Sequence, residues 1–288
     1  MGIVWQLFAQ GKIMSQKTEG KRITLILDEG EAVFEKRMAK ELSTERYPIG
    51  ATFHEFTFPN MNISPKNNKM ILKVAKSSLT FEYAMGYTVF MADTRKVNDI
   101  SMKLGMGEGK DGVTHEKAKE HMYAILEQIM DSGWKRYIDN SNPRICAKEA
   151  LLAEHYDSNL SGVGLDPNYF MNFEEWFFIS TYHWNFFYKN EALMDITLHR
   201  QAADKDLAKP GGYFLSIDVK SVENSLRSNF KPEERDDWRA LWMKELPRYQ
   251  AFRPKAETDA IAKGYHICTK HEEAPFDIGI LPPLHKEK

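Results

Sequence analysis

His183-Trp-Asn-Phe-Phe-Tyr188 and Leu193-Met-Asp-Ile-Thr-Leu-His199, separated by Lys189-Asn-Glu-Ala192, decide the fold. Trp184, Phe186 and Tyr188 recur at every second position, as do Met194, Ile196 and Leu198. That period places one side chain in two on a single face of a strand. A four-residue polar break between two such runs reads as a hairpin. Lys209-Pro-Gly-Gly212 is a second turn, and Tyr213, Leu215, Ile217 and Val219 repeat the alternation beyond it. Three strands joined in this way form an antiparallel meander.

Helices surround this segment. Ala118, Met122, Ile125 and Ile129 are spaced four, three and four, an amphipathic stripe with Thr114 as N-cap and Ser132-Gly133 as its stop. Asn142-Pro143 has the form of an N-cap followed by proline at the first helical position, and predicts a helix carrying Ile145, Glu149, Leu152 and Tyr156 on one face. Pro232-Glu-Glu opens a longer helix with Trp238, Leu241, Trp242, Leu246 and Tyr249 along one side; Pro247 is expected to kink or break it near Leu246. Phe173 to Ser180 fits a helix or a strand.

The first half predicts a strand over 22–27, a helix over 32–42, and strands over 52–58, 70–74 and 79–92, with Gly86 as a turn or bulge inside the last. The fold class expected is α+β, antiparallel sheets with packed helices. Each half holds both kinds of element, which suggests two similar lobes. The division drawn is 1–21 as an anchor remnant or linker, 22–139 as one lobe, and 140–288 as a second with the meander and the long helix.

Composition narrows the function. The chain has 288 residues, 42% hydrophobic and 28% charged, the profile of a globular protein. Lys and Arg number 39 against 41 Asp and Glu, with no basic run, so nucleic acid is not an expected partner. Aromatic residues gather between Tyr169 and Tyr188 and between Trp238 and Phe252. Core packing claims most such rings, while Trp and Tyr are also the common anchors of interfaces. Cys146 and Cys268 fit either a long-range disulfide in an exported protein or two separate buried thiols. The apolar run Gly2 to Ala9 falls well short of the ~20 residues that cross a bilayer. It reads either as the end of a trimmed membrane anchor or as an ordinary strand or helical turn.

Motifs for chemistry are missing at the level of sequence. Gly105 to Gly112 resembles a phosphate loop, but Leu104 stands where the first glycine belongs and Asp111 where a hydroxyl must reach magnesium. His266, Cys268 and His271 lack zinc-ligand spacing and would meet around a metal only by the accident of folding; histidines of a tail in solvent are the usual case. Adjacent pairs such as Glu174-Glu175 point in different directions on a helix and do not converge on a substrate. No cofactor, metal or catalytic residue is expected.

Gly133-Trp-Lys-Arg-Tyr-Ile138, Pro143-Arg144, Lys148-Glu-Ala-Leu151, Leu165-Asp-Pro167, Glu174-Glu-Trp176, Gly212-Tyr-Phe-Leu-Ser-Ile-Asp-Val-Lys-Ser221, Trp238-Arg-Ala-Leu-Trp242 and Lys263-Gly-Tyr265 together cover about half the chain. In these segments it resembles the bacterial immunity proteins that neutralise lipase effectors of type VI secretion. The resemblance implies a periplasmic, membrane-anchored protein that binds a cognate phospholipase or lipase-like toxin and occludes its active site. Loops are the expected contact elements, through Glu108, Lys110 and Asp111 in one and Asp166, Asn168 and Tyr169 in the other. The alternatives are a secretion adaptor and an enzyme whose site is assembled from dispersed residues.

Overall fold

The structure, a computed structural model, describes residues 20–47, 51–58, 67–91, 94–107, 112–157, 160, 162–201 and 208–274. Residues 1–19 of the expected anchor remnant, the contact residues Glu108, Lys110 and Asp111, and the end of the tail lie outside these. The fold is α+β. Eight strands form one antiparallel sheet: β2 (Ser43–Arg46), β3 (Thr52–Thr57), β6 (Ala84–Met91), β7 (Asp99–Gly105), β8 (Lys135–Arg136), β9 (Thr181–Tyr188), β10 (Ala192–Arg200) and β11 (Tyr213–Ser221). Their spatial order is β2-β3-β6-β7-β11-β10-β9-β8.

The expected meander forms. Ile196 sits opposite both Trp184 and Ile217, and Met194 opposite both Phe186 and Val219. Its last strand pairs with a strand from the first half: Phe214 to Lys220 of β11 lie against Gly105 to Asp99 of β7. Each half contributes four strands in chain order, and the final strand of each meets the other at the centre. The halves are therefore alike in strand order while sharing one sheet and one core. The switch from one set to the other falls between β7 and β8, ahead of residue 139, because β8 pairs with β9.

A second sheet holds β1 (Arg22–Ile26), β4 (Lys69–Val74) and β5 (Ser77–Phe81). Here β4 and β5 pair antiparallel, while β1 and β4 run parallel, residue Arg22 against Lys69 through Ile26 against Lys73. A parallel pair needs a long crossover, and α1 (Glu31–Met38) with β2 and β3 supplies it. The predicted strand over 79–92 is two strands, broken at Glu82-Tyr83, where Tyr83 takes a positive φ of 55°. Gly86 marks a register shift between β6 and β7, and a Cβ there would lie 2.7 Å from the carbonyl oxygen of Phe56.

The remaining helices are α2 (His115–Asp131), α3 (Ala147–Tyr156), α4 (Phe173–Phe178), α5 (Val222–Arg227), α6 (Trp238–Gln250) and α7 (Phe252–Ala262). Thr114 caps α2 by accepting from the Lys117 amide, and the whole predicted stripe of α2 is buried. One hydrophobic cluster unites that stripe with Phe34 of α1, Leu72 of β4, Trp176 of α4 and the inward residues of the large sheet. A second joins Phe187 and Leu193, on the opposite face of that sheet, to Leu226, Trp238, Trp242 and Leu246.

Two helix expectations need correction. The helix predicted from Pro143 begins at Ala147. Arg253 donates to the carbonyl of Asn142 and Arg136 to that of Ile145, so guanidinium groups occupy acceptors that an earlier helical turn would use. Pro247 lies inside α6, and the break comes at Ala251. The acceptor its missing amide leaves unused belongs to Met243, and both residues lie on the exposed side of the helix.

Cys146 and Cys268 are joined in a disulfide, with Cα atoms 5.8 Å apart. It closes a loop of sequence separation 122 and ties the start of α3 to the segment after α7. Replacing both cysteines by serine is expected to lower unfolding free energy by roughly 3–5 kcal/mol, from the entropy regained by the unfolded chain. Urea titration with and without reductant measures this; unchanged midpoints would mean the link contributes nothing.

Candidate functional site

Helices α3 and α4 form an apolar ledge whose position is set from beneath. Asp166 accepts from the Ala147 amide at 2.7 Å, fixing the first residue of α3. The Asp166 carboxylate also lies 3.9 Å from the Arg136 guanidinium, with both side chains almost fully buried. Burial lowers the Arg136 pKa to about 10, against the opposing pull of Asp166 and Glu154. Arg136 further donates to the carbonyl of Gly164 at 2.7 Å, so one cation spans β8, the approach to α3 and the loop before α4.

The short helix α4 begins with a capping box: the Asn172 side chain accepts from the Glu175 amide, and Glu175 accepts from the Asn172 amide. Trp176 is buried and stacks on Tyr182 with centroids 4.4 Å apart. With that ring pinned inside, Phe178 is turned outward, 62% exposed. Ala150, Leu151 and Ala153 form the buried side of α3, leaving Leu152 and Tyr156 outside. Tyr156 stacks on Phe178 at 5.8 Å, and His155 meets the same ring edge-on at 5.9 Å. The residues enclose a shallow apolar hollow of about 250 Å³.

Polar groups edge the ledge. Lys148 pairs with Glu175 at 2.8 Å, and the Tyr169 hydroxyl donates to the same carboxylate at 2.9 Å. Partial burial alone would raise the Glu175 pKa, but hydrogen bonds from Lys148, the Asn172 amide and Tyr169 outweigh it and hold the group below the ordinary carboxylate value. Of the predicted contact residues, Tyr169 therefore lies at this rim. Asn168 is exposed but turns its side chain back to Asp166 at 3.3 Å. Asp166 is engaged inside the structure, as an acceptor for the Ala147 and Asn168 amides and a counterion for Arg136.

Sequence reasoning placed Leu152 and Tyr156 on a helix face with Ile145 and Glu149, yet missed that this face is the outer one. The signal was present: a stripe containing Glu149 faces water, while Ala150 and Ala153 are small enough for close packing. Ala260 of α7 packs there. Cys268 and His266 also have partners of other kinds, the disulfide and the Glu149 carboxylate respectively.

A second feature lies on the face of the large sheet opposite the main core. Its polar side chains are linked: His183 to Thr197 at 3.1 Å, Thr181 to His199 at 3.2 Å, and Lys103 to Ser216, which donates to Asp218 at 2.8 Å. Where α5 and α6 overhang this face, a cleft of about 850 Å³ opens between Asp195 and Lys220 on one side and Trp242 and Tyr249 on the other. Asp195 and Asp218 sit directly opposite each other, as do Asp99 and Lys220 of the neighbouring pair. Desolvation raises Asp99 to about 6; Lys220 opposes this, while Asp218 and Asp195 add to it.

Compared with known proteins, the chain matches no family model, no curated protein and no solved structure.

The raised Asp99 pKa carries a sign for stability. Between the ordinary carboxylate pKa and about 6 the folded protein binds the extra proton, so the stability it provides is complete at low pH and lost as pH rises through about 6. Asp99→Asn is expected to stabilise the protein at pH 8 by about 1–2 kcal/mol, discounted for partial solvent access, with the gain shrinking towards pH 4. Urea denaturation at both pH values tests this; a loss of stability at pH 8 contradicts it.

Proposed function

We propose that this chain is a protein-binding protein that acts by occlusion, with the α3–α4 ledge as its contact surface. One observation carries the reading: Tyr156 and Phe178, 64% and 62% exposed, stack on each other in a fixed arrangement beside the Lys148–Glu175–Tyr169 network. Exposed aromatic rings are costly to leave in water, and rings bordered by ordered polar groups are the usual composition of an interface anchor. Because the rings are already positioned, little conformational entropy is lost when a partner covers them.

The partner we propose is a lipase-like effector of type VI secretion, which the chain would neutralise in the periplasm. The residues from Gly133 to Tyr265 that resemble immunity proteins include the whole ledge. The disulfide between Cys146 and Cys268 supports an oxidising compartment. Among the described residues no helix is long and apolar enough to cross a membrane, so the proposed attachment would use a segment elsewhere.

A different observation favours an enzyme: Asp99, with its pKa near 6, belongs to an acidic cluster reaching the large cleft through Asp195. Ester-hydrolase assays on the purified chain separate the two readings.

Co-expression in the bacterial periplasm with a lipase-like type VI effector that is toxic when expressed alone is expected to rescue growth. Tyr156→Ala combined with Phe178→Ala is expected to weaken binding about 100-fold or more and abolish rescue, with circular dichroism unchanged. Full rescue by the folded double variant would rule out the ledge; no rescue by the wild-type chain would rule out immunity.

A further inference from the structure

Away from the ledge, α1 packs across β2 and β3 at the far edge of the large sheet. His54 of β3 is completely buried there, with its ring 5.2 Å from that of Phe34. Its Nδ1 lies 2.9 Å from the Thr44 hydroxyl of β2. Its Nε2 is buried without a hydrogen-bond partner. That atom faces α1, 3.8 Å from a Glu35 carboxylate oxygen. Glu31 stands one helical turn earlier, and one atom from each of Glu31, Glu35 and His54 lies within 4.8 Å of the others.

Two carboxylates alone would be an ordinary feature of a helix surface. The buried imidazole changes the account. An unpaired nitrogen in an apolar setting has a substantial desolvation cost, and such groups normally find a partner. The Thr44 hydroxyl can accept a hydrogen bond from Nδ1–H, which leaves the Nε2 lone pair directed at the acids. A hydroxyl holding the distal nitrogen of a ligand histidine is a familiar orienting device.

The acids are also held. Glu31 accepts from the Thr52 hydroxyl at 3.2 Å. Glu35 is paired with Arg46, whose side chain is 60% exposed and can swing away. We propose that Glu31, Glu35 and His54 form a divalent transition-metal site, with zinc the best match, in which Arg46 occupies Glu35 until the ion displaces it. One nitrogen and two carboxylate oxygens suit zinc and leave room for a fourth ligand. Closing the three donor atoms onto an ion with bonds near 2 Å requires them to draw together modestly, which rotation of the two glutamate side chains allows. The bound ion would fasten α1 to β3 at the exposed edge of the sheet.

The test is isothermal titration of the full, disulfide-intact chain with zinc chloride after dialysis against chelator. One equivalent is expected to bind, and Glu35→Gln and His54→Gln are each expected to weaken it at least 10-fold. Arg46→Ala is expected to tighten it severalfold, because the competing cation is gone; an exposed arginine is also the substitution least able to disturb folding. His266→Ala, which removes an exposed imidazole elsewhere, is expected to have no effect. In nitrogen-15 spectra of the histidines, zinc should shift the Nε2 resonance of His54. Absence of stoichiometric binding overturns the proposal, as does binding that responds to His266→Ala but is indifferent to Glu35→Gln and Arg46→Ala.

Discussion

Seven residue pairs between β7 and β11 join the two halves of this chain. Ile100, Met102 and Leu104 project from β7 into the same core as Leu215, Ile217 and Val219 from β11, all essentially without solvent contact. The pairing makes one sheet from two four-strand sets and gives the helices a common apolar surface. Contacts so distant in sequence form only after a large loop closes, so the centre of the sheet depends on both halves being present.

At one end of that sheet the chain uses polar groups to build an apolar surface. Arg136, buried against Asp166, determines where α3 starts; the disulfide fastens the same point to the far side of α7. Arg253 reinforces this frame, donating to Asn140 at 2.8 Å and pairing with Glu273 at 3.0 Å. Buried ion pairs are poor sources of net stability, because removing both charges from water offsets their attraction. Their effect here is positional: they hold a stretch that would otherwise be free to start its helix earlier, and so settle which side of α3 faces water. At the opposite edge, His54 raises the same question of how a buried polar atom is satisfied, and there a metal ion is the proposed answer.

Much of the framework was legible in the chain. The alternation of Trp184, Phe186 and Tyr188 against Met194, Ile196 and Leu198 gave both strand identity and facing, because burial on one side imposes a period of two. The stripe of α2 was equally plain. The central strand β7 is missing from the sequence reading although Ile100, Met102 and Leu104 alternate cleanly; Asp99, Ser101 and Lys103 between them dilute the apolar signal. The edge strand β2 is fully exposed and offers no hydrophobic pattern to read. The start of α3 was out of reach for another reason: Asn142-Pro143 has good local helix chemistry, and it is overridden by Arg136 and Arg253 reaching from elsewhere in the chain. The ledge was half visible, since Tyr169 was singled out from its loop and Glu149 marks the face of Tyr156 as the outer one, while Phe178 has no linear signature that separates an outward ring from a core one.

Hydrogen–deuterium exchange of the chain, alone and mixed with a candidate lipase-like effector, tests the central claim most directly. Recognition through the ledge predicts slowed exchange in peptides covering residues 147–156 and 169–179, with the large sheet unaffected. Protection confined to the polar face around Asp195 and Ser216, or no protection at concentrations where the effector is inhibited, would contradict it.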